Sequence, residues 1–233
     1  MAKKTKRPLP KGLEIIYEDK ALLVVDKPAG LLTVGTATNK TKTVYYILSD
    51  YLRKGCSKST SRVHIVHRLD QWTSGVLLCA KSEDIKERLQ EQWKETQKKY
   101  IAVVYGKLTE KEGLISSYLA ENKAYVVYST TDPEKGKLAQ TAYKVLKEAG
   151  RFSLLEIELL TGRKNQIRVH LADIGHPVVG DRKYGKAGDD YKRLALHSQS
   201  ISFRHPASGK QMVFKAKVPG YFHNLMDNSD RQS

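Results

Sequence analysis

The chain has 233 residues, 40% of them hydrophobic and 28% charged, which is enough apolar material to bury a core in one or two domains. Its 41 Lys+Arg against 25 Asp+Glu leave a net charge of +16, an excess that points to nucleic acid, an anionic membrane surface or a ribosomal neighbourhood. No run approaches the roughly 20 apolar residues of a membrane span, and no apolar segment follows the basic start as in a secretory signal. Cys56 and Cys79 lack metal-type spacing and fit a reducing cytoplasm. These features favour a cytoplasmic protein with a nucleic-acid partner and no membrane.

Residues 1–12 carry five basic groups and no acid. They read as a flexible tail, serving either to touch phosphates or only to keep the chain soluble. The segment LEIIYEDKALLVVDKPAG predicts two short strands around a turn at residues 18–20, closed by a Pro-Ala-Gly loop. Val44, Ile47, Leu48 and Tyr51 recur at helical spacing over residues 43–52. A polar, basic loop follows over residues 53–62. From Lys40 to Arg68 there are seven Lys/Arg against one acid, Asp50.

Residues 75–80 form a short apolar run, expected as a buried strand. Ser82 is a good N-cap for a helix carrying Ile85, Leu89 and Trp93, with Glu83 and Asp84 suited to its first turn. Further strands are expected at 98–106, 124–130, 138–147, 152–160 and 211–218. A second helix is expected over residues 165–174, with Ile167, Leu171 and Ile174 inward and Gly175 closing it. Strands outnumber helices and no βαβ alternation dominates. The expected fold is therefore α+β: a largely antiparallel central sheet with flanking helices, as one domain over residues 13–233.

The common cofactor signatures are missing: neither G-x-x-x-x-G-K-[ST] nor G-x-G-x-x-G after a strand occurs. No cofactor is expected. His64 and His67 form an H-x-x-H pair near a strand, without a third ligand at useful spacing, so no metal site is expected. The stretch HRLDQWTSGVLLCAK (67–81) contains a single carboxylate, Asp70. Two readings stand for it: a turn residue that caps its own backbone, or an ionised group set beside a nucleic-acid groove. The block TGRKNQIRVHLADIGHPVVGDRKYG (161–185) places Arg163, Lys164 and Arg168 around a helix N-terminus suited to an anion, where an arginine can hold a carboxylate ionised.

The stretches HRLDQWTSGVLLCAKS, KKYIAVVYG, GRKNQIRVHLADIGHPVVGDRKYG and LALHSQSISFRHP, with the opening IIYEDKALLVVDKPAGLLTV, resemble the successive motifs of the RluA-type pseudouridine synthases. The resemblance runs in order from about residue 13 to 222. It implies a catalytic domain with an active-site cleft across the sheet, standing alone as a monomer without an S4-like module. The implied activity is isomerisation of specific uridines to pseudouridine in ribosomal or transfer RNA; the alternative is an RNA-binding protein of the same fold without chemistry. It implies that Asp70 is the catalytic aspartate, that Tyr100 stacks on the flipped uracil and aids C5 deprotonation, and that Arg168 pairs with the aspartate. Leu196 matches an apolar wall of the uracil pocket, and Arg68 a substrate-binding residue beside the aspartate that either fills the space vacated by the flipped nucleotide or only binds phosphate. Arg163 and Lys164 are expected to bind substrate phosphates. Where the family often has G-R-[ST]-H-Q-I-R, this chain has Lys164 and Asn165, and Asn165 is expected to cap the helix. Gln166 and His170 are expected to brace it.

Overall fold

The computed structural model describes residues 9–54, 56 and 58–229. Most of the basic tail expected over residues 1–12 lies outside them. The chain divides into two compact units. The first runs to Thr96 and regains the chain over Ser200–Ala216; the second holds Gln97–Gln199 and the segment from Lys217 onward.

In the first unit, β1 (Glu14–Glu18) and β2 (Leu22–Lys27) form the expected hairpin, whose turn is fixed by Asp19. Its carboxylate accepts from the backbone N–H groups of Ala21 and Leu22 and from the Tyr17 hydroxyl. Helix α1 (Val44–Arg53) starts at Thr43, whose side chain accepts from Tyr46 N. A two-residue strand β3 (His64–Ile65) pairs with β4 (Ser74–Ala80), every residue of which is buried. β4 also pairs antiparallel with β2 in the register Leu22↔Ala80 to Lys27↔Gly75. That register places Lys27 beside the loop that leads into β4. Helix α2 (Glu83–Glu91) is capped by Ser82, which accepts from Ile85 N. Leu22, Val24, Val76, Leu78, Leu89, Ile201 and Phe203 share a core, with Ile85 and Trp93 against it. Each such side chain contributes about 1.5–3 kcal/mol on burial.

In the second unit the strands run β5 (Gln97–Tyr105), β6 (Glu112–Glu121), β7 (Val127–Thr130), β8 (Lys137–Ala149) and β9 (Phe152–Leu159). They pair antiparallel in the order β5-β9-β8-β6-β7. Helix α3 (Gln166–Asp173) buries Ile167, Val169 and Leu171, whereas Ile174, expected inward, is 37% exposed. The helix ends at Asp173, so Ile174 lies past its last turn, and Gly175 follows in the left-handed region at φ +80°. Strand β10 (Leu196–Arg204) crosses the unit boundary and pairs over Ser200–Arg204 with β11 (Gln211–Lys215) of the first unit. Helix α4 (Gly220–Ser229) closes the described chain. The α+β class and antiparallel sheets are as expected, while β3, β6, β10 and α4 are additions. Among the described residues no helix is long and apolar enough to cross a membrane.

Candidate active site

In the first unit Asp70 opens a tight turn in which Thr73 N donates to the Asp70 carbonyl at 3.2 Å. Its side-chain environment is partly exposed, and Arg68 is exposed just before it. The flanking backbone is clamped on both sides. Leu69 N donates to Thr33 Oγ1 at 3.2 Å, and that buried hydroxyl donates back to the Leu69 carbonyl at 2.7 Å. Gly30 N donates to the Gln71 carbonyl at 2.8 Å, while Gln71 Nε2 donates to the Gly30 carbonyl at 3.1 Å.

The strongest clamp is Lys27, which has no solvent exposure. Its Nζ donates to the carbonyls of Pro28, Leu31 and Gln71 at 3.0, 2.8 and 3.0 Å. Burial pushes its pKa down to about 7, while the Asp70 and Asp26 charges pull it up. An ammonium has three N–H donors and a neutral amine two, so three carbonyl acceptors fit the charged form. A buried cation is thus aimed at the backbone next to Asp70, and the carboxylate rests on a loop with little freedom. Lys27 was not among the expected site residues. The available signal was a lysine that follows LLVVD and stands immediately before Pro-Ala-Gly.

The paired histidines are engaged within this unit. His64 Nδ1 lies 2.6 Å from Glu83 Oε2. His67 Nε2 accepts from Leu78 N at 3.0 Å, and its ring packs on Trp93 with centroids 4.9 Å apart.

In the second unit Tyr100 lies on β5 opposite Ile157 and is buried, as is Leu196 at the start of β10. Arg168 projects from α3 into a bidentate pair with Asp181: Nε and Nη2 donate to Oδ2 and Oδ1, both at 2.7 Å. The arginine side chain is 12% exposed and the aspartate 0%. Burial alone would raise the Asp181 pKa; the Arg168 fork and the N–H groups of Lys183 and Tyr184 outweigh it, and the carboxyl is held below its usual value. The Arg168 guanidinium also lies 5.1 Å from the centroid of the Tyr184 ring. Asp181 and Tyr184 were not among the expected site residues, although both stand in the quoted block as GDRKYG. A long-range pair thirteen residues apart leaves no periodic trace.

Asn165 does not cap α3 with its side chain. It sits in the left-handed region at φ 54°, a conformation tolerated by Asn, and there it turns its amide sideways. Oδ1 accepts from Arg168 Nη1 at 3.2 Å and Nδ2 donates to Tyr184 Oη at 3.0 Å. Gln166, the first residue of α3, ties the helix to its surroundings: its Oε1 accepts from Arg163 N and Thr161 Oγ1 and its Nε2 donates to the Gln140 carbonyl and Thr141 Oγ1. His170 is bonded to Thr141 Oγ1 and Ser117 Oγ, and burial lowers its pKa. Gln166 and His170 therefore brace α3 against the sheet as expected. Arg163 Nε donates to the Leu138 carbonyl, and Lys164 pairs with Glu121 and lies over the Tyr125 ring.

The sequence residues that the model of the RNA pseudouridylate synthase family matches are 21–173. The chain is 36% identical over 217 residues to the uncharacterized RNA pseudouridine synthase YhcT of Bacillus subtilis, covering 91% of this chain and 71% of that protein. It is 34% identical over 218 residues to the ribosomal large subunit pseudouridine synthase D of Nitrosomonas europaea, covering 89% and 62%. The fold superimposes on human RNA pseudouridylate synthase domain containing 4 with a TM-score of 0.77 at 23% identity, covering 94% and 93% of the two chains. For human RNA pseudouridylate synthase domain containing 1 the values are 0.73 and 26%, covering 96% and 90%.

Proposed function

This chain belongs to the RNA pseudouridylate synthase family, whose reaction converts a uridine in RNA to pseudouridine, and on that premise we propose that Asp70 carries the reaction on structured ribosomal RNA. The observation that supports this most is the Asp70 turn itself, one carboxylate on a loop immobilised by Lys27, Thr33 and Gly30. A lone carboxylate is enough for an isomerase. Glycoside hydrolysis pairs two, one of them serving water or the leaving oxygen. Here the leaving base returns: the C1′–N1 bond breaks, uracil turns over, C1′–C5 forms, the C5 proton is lost and N1 gains one. No water or redox partner enters the balance.

In this reading Asp70 acts at the ribose to open the glycosidic bond of a flipped-out nucleotide. Tyr100 stacks on the uracil, and its hydroxyl aids loss of the C5 proton. Arg168, held by Asp181, orients Asp70, with Leu196 as an apolar wall. Arg68, Arg163 and Lys164 hold RNA phosphates. Ribosomal rather than transfer RNA is favoured by two relatives named for the large ribosomal subunit. We place the enzyme in the cytoplasm as a monomer that needs no metal or cofactor.

Two measurements test the reading. Purified protein incubated with RNA carrying [5-³H]uridine should release tritium, and Asp70→Asn should bind the RNA without releasing any. Pseudouridine mapping of total RNA from a strain lacking this gene should show sites missing from ribosomal RNA. Free uracil or abasic sites would instead make the protein a glycosylase, and binding without release would make it an RNA-binding protein without chemistry.

A further inference from the structure

Two residues after Asp70 stands Trp72, 47% exposed in a chain with only two tryptophans. Large aromatic rings are rarely left in water on a tight turn without use. This one is built in. Gln71 exchanges two hydrogen bonds with Gly30, at 2.8 and 3.1 Å, which docks the turn on the Pro28–Gly30 loop. Gly30 sits beneath the indole at φ +91°, where a Cβ would meet the Trp72 ring at 3.3 Å. The glycine therefore serves both the left-handed backbone and the close approach of the ring. The indole lies against Gly30, in the loop whose Pro28 and Leu31 carbonyls Lys27 holds, and about half of the residue remains open.

The spacing is informative. Two residues span at most about 7 Å of chain, and the Asp70–Thr73 turn shortens that further. A ring within that reach of the reacting ribose lies one or two base-stacking steps away. When a nucleotide is extruded, its neighbours lose a stacking partner and need another flat surface. Exposed Arg68, on the other side of Asp70, supplies positive charge for the backbone of the same strand.

We propose that Trp72 is an RNA-binding residue that stacks on a nucleobase flanking the target uridine and so favours targets in loops or unpaired segments. This rests on the reading that Asp70 faces the reacting nucleotide. The partner is a base, because an indole face has no donor or acceptor for a phosphate but matches any π-surface.

The test uses the full chain in a Trp93→Phe background, so that emission reports Trp72 alone, with two probes: deproteinised total RNA from cells lacking the gene, and a ten-residue oligouridylate. Both should quench the emission and protect it from acrylamide. Trp72→Ala should raise KM for the total RNA about five- to 150-fold with kcat within a few-fold of the parent, and Trp72→Phe should recover most of that loss. Unchanged emission and unchanged KM, with the parent still forming pseudouridine, would overturn the proposal while leaving the enzyme assignment intact. A fall in kcat alone, not recovered by Trp72→Phe, would also overturn it. Asp70→Asn, run beside these variants, decides the Asp70 assignment separately, since it should still quench on binding while forming no product.

Discussion

Lys27 illustrates how far a single residue can determine the state of the loop that holds Asp70. A wholly buried ammonium is costly unless its donors are engaged, and here all three find carbonyls. Lys27→Met keeps the length of the side chain but leaves three carbonyls without their donor, at about 1–3 kcal/mol each where no water can enter. We expect a loss of about 3 kcal/mol or more in urea unfolding, and a fall in kcat larger than in KM because the Asp70 turn loosens. A variant as stable and as active as the parent would show that Lys27 is only packed there. Asp181 makes a second case. Asp181→Asn leaves Arg168 with a buried charge and half a fork, which should cost about 3 kcal/mol at neutral pH. The sign of the pH dependence follows from the lowered folded-state pKa. The carboxylate's contribution is present above its unfolded value near 4 and is lost as pH falls through the folded one. The stability gap between parent and variant should therefore be full at pH 7 and 5 and narrow below about pH 4. Asp70 was legible in the sequence because its motif is contiguous. Lys27 and Asp181 were not, because the groups that give them meaning are up to 44 residues away in the chain.

Among the elements, those whose apolar pattern or cap is local were readable, and those completed by distant partners were not. β4 is a run of six small and apolar residues after Ser74, buried throughout, and α2 announces itself by Ser82. β6 (EGLISSYLAE) alternates weakly, with Leu114 54% exposed, and β10 (LHSQSISFR) carries five polar residues besides its terminal Arg204. Both are strands because neighbouring strands satisfy their backbone, not because their side chains prefer it. α3 was readable as a helix, but the work of its N-cap side chain was not: Asn165 makes no cap bond and becomes a bracket between Arg168 and Tyr184. That bracket can be tested. Asn165→Ala puts a Cβ residue without a polar side chain at φ 54° and removes two hydrogen bonds, which should cost about 1–3 kcal/mol. Asn165→Gly accepts the backbone but not the bonds. If α3 is a mount for Arg168, both variants should lose kcat, and only Asn165→Ala should carry the full stability loss. Parent-like activity in both would make the bracket a purely structural device.

At the scale of the molecule the governing quantity is charge. A net +16 on 233 residues cannot be a requirement of the fold, because like charges oppose compaction. It is a property for a polyanion. Association with RNA should then be driven in large part by counterion release, with log K falling against log salt by about 0.7–0.9 for each phosphate engaged. If about four of the exposed basic groups reach phosphates, raising salt from 50 to 200 mM should weaken binding about a hundredfold. The slope can be apportioned. Arg68→Gln should lower it by about one if that side chain grips a phosphate beside Asp70, and should weaken binding to all sequences alike. Trp72→Ala should weaken binding while leaving the slope unchanged, because stacking releases no counterions. Titrations of the parent and the two variants over four salt concentrations separate these contributions. A flat response in the parent would mean that the basic surface is merely solvated, and that recognition comes from the fit of bases and ribose around the turn that holds Asp70.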